Sequence, residues 1–214
     1  MTASSRMSRA RRPAPAIRLA DPDRDASAVH AIYAPSVTHS ATSFEREPPG
    51  AEAMAERIAQ TMERYPWLVA VEEGPEGPVL GYAYGTTHRA RWAYQWSAEV
   101  AVYVAGSAHR RGVGRRLYET LLTILAAMGV HGVFGGVTLP NDASVALHRS
   151  VGFEEVGIYR GIGCKFGRWH DVQWFQKAIR EKRAHAAPPP SPRWLPEIRS
   201  EIETWLAGGA VGAL

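Results

Sequence analysis

Val102-Tyr103-Val104, followed after four residues by His109-Arg110-Arg111-Gly112-Val113-Gly114-Arg115-Arg116, is the stretch that decides the fold. Its first three residues end a predicted strand over residues 96–104. Its second part leads into a predicted apolar helix over residues 112–128. The two glycines let the backbone approach a ligand closely, and the amides of a first helical turn favour an anion. Four arginines surround this turn. The stretch therefore predicts a diphosphate site, with an ordinary basic loop as the alternative.

Hydrophobic periodicity on either side of this glycine loop predicts alternating strands and helices. Asp21-Pro22 is typical of a helix start, and Asn141 is expected to cap a helix that ends at Gly152. The order of elements predicts an α/β fold around a mixed sheet. The predicted strands cover residues 17–19, 67–71, 79–84, 96–104, 130–139, 153–159 and 172–178, and two further helices cover residues 51–64 and 112–128.

The composition limits the class of protein. With 214 residues and 45% hydrophobic content, the chain suits one globular domain with a sizeable core. A formal charge of +4 is compatible with nucleic acid, a membrane surface or a phosphorylated cofactor as partner. The single cysteine, Cys164, excludes an intrachain disulfide, and we expect a buried thiol in a cytoplasmic protein. No apolar run is long enough to span a bilayer or to serve as a secretory signal.

Changes in composition divide the chain into four parts. Residues 1–15 are expected to form a disordered basic arm, with nucleic-acid contact as the alternative to a solvated tail. Residues 16–180 form the main domain, and residues 181–193 are a Pro-rich linker. Residues 194–214 are expected to contain an amphipathic tail helix, and we expect its apolar stripe to be buried on the domain itself or on a second subunit. The stripe consists of Leu195, Ile198, Ile202 and Leu206.

Two motifs resemble the signatures of the GNAT acetyltransferases. The glycine loop is similar to their acyl-CoA-binding motif, with His109 in the place of the usual Gln or Arg. Asn141-Asp142-Ala143-Ser144-Val145-Ala146-Leu147-His148-Arg149-Ser150-Val151-Gly152-Phe153 resembles the second signature, in which Asn starts a helix and Gly-Phe follows it. Residues 64–70, 90–96, 139–142 and 167–172 narrow the resemblance to the phosphinothricin acetyltransferase family. The resemblance covers about residues 17–178 and implies a mixed, mostly antiparallel sheet flanked by helices.

The resemblance also implies catalytic residues. Strand alternation puts Glu99 on one face with Ala101 and Tyr103. An exposed edge strand is the alternative reading of that face, but the matching Glu of the family serves as the general base. His148 stands at the family position whose side chain can protonate the leaving thiolate or act as a second base. Tyr118 is a second candidate for the proton donor to that thiolate.

Acetyl-CoA as cosubstrate and an anionic amino acid as substrate are the ligands that the resemblance implies. No His/Cys cluster has metal-ligand spacing, so no metal is expected. The predicted cofactor-binding residues are Val102, Tyr103, Val104, His109, Arg110, Arg111, Gly112, Val113, Gly114, Arg115 and Asn141. The predicted substrate-binding residues are Phe44, Arg89, Arg91, Tyr94, Thr138 and Val172.

The expected reaction is transfer of an acetyl group to the alpha amine of phosphinothricin, methionine sulfoximine or methionine sulfone. Departures from the family at Arg89, Gln95 and Thr138 lie near the expected substrate site and leave the exact substrate open. Two alternatives stand beside this expectation: acetylation of a protein N-terminus or an aminoacyl-tRNA, and a non-enzymatic acyl-CoA sensor. The family resemblance further implies a homodimer, with neither nucleic acid nor a membrane as partner.

Overall fold

Seven strands form one sheet in the computed structural model, which describes residues 14–72, 74, 76–182 and 187–208. Their order is β1-β2-β3-β4-β5-β7-β6, and the neighbours are antiparallel except for the parallel pair β4 and β5. The predicted α/β fold with a mixed, mostly antiparallel sheet is confirmed. The strands are β1 (Ala16–Leu19), β2 (Trp67–Val71), β3 (Val79–Thr87), β4 (Ser97–Val104), β5 (Gly132–Thr138), β6 (Glu154–Lys165) and β7 (Arg168–Ala178). The helices are α1 (Pro22–Thr38), α2 (Ala51–Met62), α3 (Val113–Met128), α4 (Asp142–Ser150) and α5 (Leu195–Gly208).

Side-chain caps start two of these helices where the sequence predicts them. Asp21 Oδ1 accepts hydrogen bonds from the backbone N–H groups of Asp23 at 3.0 Å and Arg24 at 3.2 Å. Asn141 Oδ1 accepts from the N–H of Ser144 at 3.1 Å. Both side chains satisfy N–H groups that have no partner within their own helix. Most of the predicted arm, residues 1–13, lies outside the described residues.

The two faces of β3 separate the helices into layers. Gly81 and Gly85 lie on one face, and a Cβ atom on either would be 3.3 Å from a leucine side chain of α3. The absence of side chains at these two positions lets α3 pack closely against the sheet. Tyr82 and Tyr84 lie on the other face, which α1 covers: the ring of Tyr103, the partner of Tyr82 on β4, lies 5.2 Å from the Tyr33 ring of α1.

The tail helix α5 packs on its own domain. Leu195, Ile198, Ile202 and Trp205 are buried in the same core as the sheet. The Arg64 guanidinium lies 3.9 Å from the centre of the Trp194 ring, and the Arg64 carbonyl accepts from the N–H of Leu195 at 3.1 Å. Of the two expectations for the apolar stripe, burial on the domain is therefore correct for these positions. None of the helices in the described residues is long and apolar enough to cross a membrane.

The β6–β7 hairpin is longer than the sequence predicts and forms one edge of the sheet. Its strands continue to a tight turn at Phe166 and Gly167, both with positive φ. Glycines and register shifts within β6 break the alternating pattern, which is why periodicity detects only the first part of the strand. The expectation of a buried Cys164 thiol is wrong, because Cys164 is exposed on this edge strand.

Candidate active site

The two parallel strands separate part-way along the sheet. β4 pairs with β5 only at Ser97↔Gly132, Ala98↔Val133 and Glu99↔Phe134. Beyond Glu99, β4 continues along β3 as far as Val104, and β5 continues along β7 as far as Thr138. A wedge-shaped gap therefore opens between the carboxyl ends of β4 and β5. The carboxyl ends of parallel strands are where open α/β sheets bind ligands.

Backbone groups of β4 line this gap. The N–H of Ala105 donates to the Leu80 carbonyl of β3 at 2.9 Å. Because the hydrogen-bonding direction alternates along a strand, the N–H of Tyr103 also points to β3, whereas those of Val102 and Val104 point into the gap. Of the three backbone positions predicted here, Val102 and Val104 thus offer donors to a ligand. His109 Nε2 lies 3.1 Å from the Val104 carbonyl, to which it donates at the wide end of the gap.

The glycine loop leads from the gap into α3. Gly112 is the N-cap residue, with φ of +77°, and a Cβ there would meet nothing within 4 Å. No side chain among the described residues caps α3, so the first-turn amides of Val113, Gly114 and Arg115 are not blocked by a capping side chain. A helix N-terminus of this kind favours an anion.

Gly114 lies in close contact with two neighbouring elements. A Cβ at Gly114 would lie 3.2 Å from Leu147 Cδ2 of α4 and 3.4 Å from Val104 Cγ2 of β4. The missing side chain therefore lets α3 pack against α4 and β4, and the predicted contact of Gly114 with the cofactor stays a prediction. Gly112 is the glycine that the conformation of the loop requires, because its φ lies in the left-handed region.

Two of the predicted loop cations are held by carboxylates. Arg111 Nη2 lies 2.6 Å from Glu72 Oε1, and Arg115 Nε lies 2.8 Å from Glu119 Oε1. Arg110, which has φ of +59°, and Arg116 are exposed beside the loop. These two guanidinium groups give the loop a positive surface next to the free helix terminus.

His148 and Tyr118 form a buried pair. His148, whose exposed fraction is 3%, has Nδ1 2.8 Å from the Ser144 carbonyl and Nε2 3.1 Å from the Tyr118 hydroxyl. A carbonyl only accepts, so Nδ1 carries the proton of the neutral ring and Nε2 accepts from Tyr118. Burial lowers the pKa of His148 and raises that of Tyr118 well above its ordinary value. The arrangement favours a neutral imidazole and a protonated tyrosine.

The pair lies where the gap begins. A Cβ at Gly135 would be 2.7 Å from His148 Nε2 and 3.7 Å from the Val100 carbonyl of β4. Any side chain at Gly135 would therefore displace the imidazole. The glycine brings β5, β4 and the buried pair together just beyond the last paired residues of the two strands.

Glu99 has a neighbour that sequence reasoning missed. His88 Nδ1 lies 3.0 Å from Glu99 Oε1, and Arg89 Nη1 lies 3.9 Å from the same oxygen. The His88 ring stacks on Phe134 with the centres 4.3 Å apart and the planes 10° from parallel. Glu99 keeps 30% of its side chain exposed. β3 ends at Thr87, beyond the predicted end at residue 84, and His88 follows it directly. Only the pairing of Thr86 with Glu99 in the sheet shows that His88 is close to Glu99.

Two of the predicted substrate residues come close to this group. The Tyr94 ring centre lies 6.3 Å from that of His88. Arg89 follows His88 directly in the connection between β3 and β4, which also contains Tyr94. The Arg91 carbonyl accepts a hydrogen bond from the N–H of Tyr94, and the Arg91 side chain is exposed. The cationic and aromatic cluster that the sequence predicts is therefore centred on Arg89 and Tyr94.

The remaining substrate candidates border the same face. Thr138 and Val172 are cross-strand partners on β5 and β7. Phe44 is half exposed and packs against the backbone of Gly163 in β6. Lys165 Nζ donates to the carbonyls of Val37 and Ser43, each at 2.6 Å, and so ties the loop after α1 to the hairpin. Phe44 is thereby held over this side of the sheet.

The amino-acid sequence places this architecture in a known family. Residues 17–174 match the family model of the acetyltransferase (GNAT) domain. The chain belongs to the GNAT acetyltransferases. The resemblance to this family and to its phosphinothricin branch is thus confirmed by comparison with known proteins.

Similar GNAT proteins carry related names. Phosphinothricin N-acetyltransferase of Streptomyces viridochromogenes is 39% identical over 72% of this chain and 82% of its own length. L-methionine sulfoximine/L-methionine sulfone acetyltransferase of Salmonella typhimurium is 34% identical over 80% of this chain and 97% of its own length. The crystal structure of a phosphinothricin acetyltransferase from Sinorhizobium meliloti in complex with acetyl-CoA has a TM-score of 0.77 at 30% identity, covering 84% of this chain and 96% of that one.

In this GNAT domain, Glu99 and His148 reach the gap from opposite faces of the sheet. Phe134, the strand partner of Glu99, carries the His88 ring on one face. The next residue, Gly135, faces His148 on the other, because successive strand positions point to opposite sides. A reacting group lying in the gap would thus meet a carboxylate from one side and a buried hydroxyl–imidazole pair from the other. Among the described residues, no group of three or more His, Cys, Asp or Glu side chains is arranged to hold a metal ion.

Proposed function

We propose that this GNAT domain transfers the acetyl group of acetyl-CoA to the alpha amine of a small anionic amino acid, of the phosphinothricin, methionine sulfoximine or methionine sulfone type. The observation that carries the proposal is the end of β4–β5 pairing at Glu99↔Phe134. It opens a gap between catalytic candidates on both faces of the sheet. The names of the similar proteins support the choice of substrate.

The residues along the gap fit acetyl-CoA. The N–H groups of Val102 and Val104 can pair with the carbonyl groups of a pantetheine arm as an added strand would. The amides that begin α3 at Val113, with exposed Arg110 and Arg116 beside them, suit the diphosphate. A neutral or acidic loop at this position would not fit.

The chemistry requires a neutral amine, stabilisation of the developing oxyanion and stabilisation of the thiolate that leaves. Glu99 lies on the face where the amine enters and supports its deprotonation. At the narrow end of the gap, the Tyr118 hydroxyl turns its one proton from His148 Nε2 to the leaving sulfur and so becomes the donor for it. His148 acts on Tyr118 as a positioning residue, because its own N–H is bound to the Ser144 carbonyl.

The surroundings of Glu99 favour a small anionic substrate. Arg89 supplies positive charge 3.9 Å from the carboxylate, and Arg91 and Tyr94 belong to the same connection. Arginine forks match carboxylate and phosphinate oxygens. The contacts of Phe44 and Lys165 hold the loop after α1 against the hairpin on this side of the sheet, which favours a small substrate over a protein N-terminus or an aminoacyl-tRNA.

Release of free thiol from acetyl-CoA across a panel of amines tests the proposed function. We expect turnover with phosphinothricin or methionine sulfoximine and none with spermidine or an aminoglycoside, whose positive charges the arginines would repel. Preference for a polycationic amine would contradict the substrate. Acetyl-CoA binding without turnover on any amine would instead support an acyl-CoA sensor.

We also propose that two copies associate through the β6–β7 hairpin. Large apolar side chains are exposed along it, and Trp169 is 72% exposed. Several large exposed apolar side chains on one hairpin indicate an interaction site, and β6 is an edge strand whose ladder a second copy can extend. The exposed side chains are Val156, Ile158, Tyr159, Ile162, Phe166 and Trp169.

The cytoplasm is the proposed location of the protein. Cys164 is free and exposed, and such a thiol persists in a reducing compartment. Fractionation of cells that express the chain would test this, and recovery outside the cytoplasmic fraction would contradict it.

A further inference from the structure

The carboxylate of Glu99 is partly covered by an imidazole. His88 Nδ1 lies 3.0 Å from Glu99 Oε1, and only 13% of the His88 side chain is exposed. Family motifs single out Glu99 and leave His88 unmentioned. The contact raises the question of which of the two groups meets the amine.

We propose that His88 is the general base of the acetyl transfer, and that Glu99 is the positioning residue that holds it. This inference rests on the proposed function and deepens it. Glu99 accepts the Nδ1–H of His88, which leaves the lone pair of Nε2 as the basic site of the neutral ring. Nδ1 and Nε2 flank Cε1 and point in different directions in the ring plane, so with Nδ1 bonded to Glu99 the lone pair of Nε2 is directed away from that carboxylate.

Aromatic contacts hold the imidazole in this orientation. Its face stacks on Phe134 at 4.3 Å, the last β5 residue that pairs with β4. Tyr94 and Trp174 contact it at steep angles, with ring centres 6.3 Å and 6.2 Å away. Because the plane is fixed by Phe134 and the rotation by Glu99, the ring is preorganised at the point where the gap opens. A base acts only when it is held within hydrogen-bond reach of the proton that it removes.

The charges around His88 suit this role. Glu99 on β4 lies against His88 Nδ1, and Arg89 Nη1 lies 3.9 Å from the same carboxylate oxygen. Tyr94 is a further titratable neighbour among the described residues, while β5 and β7 present Phe134 and Trp174. Free imidazole titrates much closer to neutral pH than a free carboxylate does. An imidazole is therefore the better general base for an amine near neutral pH.

The step balances as follows. His88 Nε2 takes one proton from the ammonium group of the amino acid, and the neutral amine attacks the thioester carbonyl carbon. The new C–N bond forms, and the electron pair of the C–S bond leaves with sulfur. Tyr118 gives its proton to the thiolate, the second proton of the nitrogen restores the Tyr118 hydroxyl through solvent, and His88 returns its proton to solvent. The products are the amide, the free thiol and one proton.

His88→Asn tests the proposal sharply. An asparagine amide can still donate to Glu99 from the position of Nδ1, but it has no group at Nε2. We expect kcat to fall by roughly 10²–10⁴-fold, the usual worth of a general base, with acetyl-CoA affinity unchanged by calorimetry. Added imidazole should restore part of the rate in His88→Ala. The acidic limb of the pH–rate profile should disappear in His88→Asn, while His131→Gln, a histidine outside the site, should behave as wild type.

Two outcomes separate the failures. If wild type turns over phosphinothricin or methionine sulfoximine while His88→Asn keeps both its rate and its acidic limb, the inference about His88 is wrong. Loss of that limb in Glu99→Gln alone would then make Glu99 the base. If wild type acetylates no amine of the panel, the proposed function itself fails.

Discussion

The Tyr118 hydroxyl lies 3.1 Å from Nε2 of His148, and both groups are buried where β4 and β5 separate. The Ser144 carbonyl occupies Nδ1, so the two nitrogens of His148 are engaged within the protein. This arrangement changes the roles expected from the sequence. Tyr118, the second candidate there, holds the hydroxyl proton and donates it to His148 Nε2 in this structure, so the proposed transfer to sulfur requires the hydroxyl to turn.

Tyr118→Phe should therefore lower kcat with little effect on the KM for either substrate. The ring and its packing remain, while the donor for the leaving sulfur is lost. We expect a reduction of about 10²–10³-fold, the range for removing a donor that stabilises transition-state charge. Steady-state kinetics with both substrates varied would check this. A Tyr118→Phe enzyme with wild-type kcat would exclude the hydroxyl from the reaction.

Protonation of His148 should destabilise the fold at acidic pH. Burial lowers its pKa in the folded state below the ordinary value of 6.5. The unfolded chain therefore binds a proton that the folded chain resists, and stability is lost as the pH falls below about 6.5, by at most about 1.4 kcal/mol per pH unit for one group. Urea unfolding at pH 7.5 and 5.5 measures this loss. His148→Gln should show a smaller loss than wild type, and an equal loss would show that other groups cause it.

Substitutions at the two loop glycines should have different effects. Gly114→Val would force a side chain between Leu147 and Val104, so we expect a loss of about 1–3 kcal/mol from overpacking. Gly112→Ala meets open space but places a Cβ in the left-handed region, at a cost of roughly 1–2 kcal/mol. Thermal unfolding and acetyl-CoA calorimetry on both variants would separate packing from binding. If Gly114→Val weakens acetyl-CoA binding without loss of stability, Gly114 contacts the ligand and its packing role is secondary.

Arg89→Ala and Arg91→Ala should each raise KM for the anionic amino acid and leave acetyl-CoA affinity intact. The effect should be larger for Arg89, whose Nη1 lies 3.9 Å from Glu99, than for Arg91, whose side chain is exposed. Loss of a charged hydrogen bond costs about 1.5–3 kcal/mol, which corresponds to roughly 10–150-fold in KM. Equal kinetics of Arg91→Ala and wild type would restrict the anion site to Arg89. If both variants have the same kinetics as wild type, the proposed anion site is wrong.

Trp169→Glu should convert a dimer to a monomer. Trp169 is exposed on the hairpin, and a charge there would be buried in the proposed interface. Light scattering with size-exclusion chromatography gives the mass of each variant. Trp92→Glu, at an exposed tryptophan outside the hairpin, is the matched control and should keep the mass of wild type. A monomeric wild type would contradict the proposed association.

Local patterns in the sequence determined the elements and the family. Asp21 and Asn141 mark helix starts because their side chains bond to amides three residues or fewer away. The periodicity around Leu117 and Leu125 indicates the core face of α3, since that face repeats every 3.6 residues. The glycine loop indicates an anion site because the glycine conformation and the free amides of a helix start both depend on residues within one turn of each other.

The tertiary structure alone decided which groups meet. His88 lies beside Glu99 because the register of β3 and β4 joins Thr86 to Glu99, a pairing between distant residues that periodicity does not specify. His148 is buried because Gly135 of another element leaves room for its ring, and Gly114 also permits close packing because Leu147 and Val104 converge on it. Contacts between separate elements depend on register and packing, which no local pattern of the chain encodes.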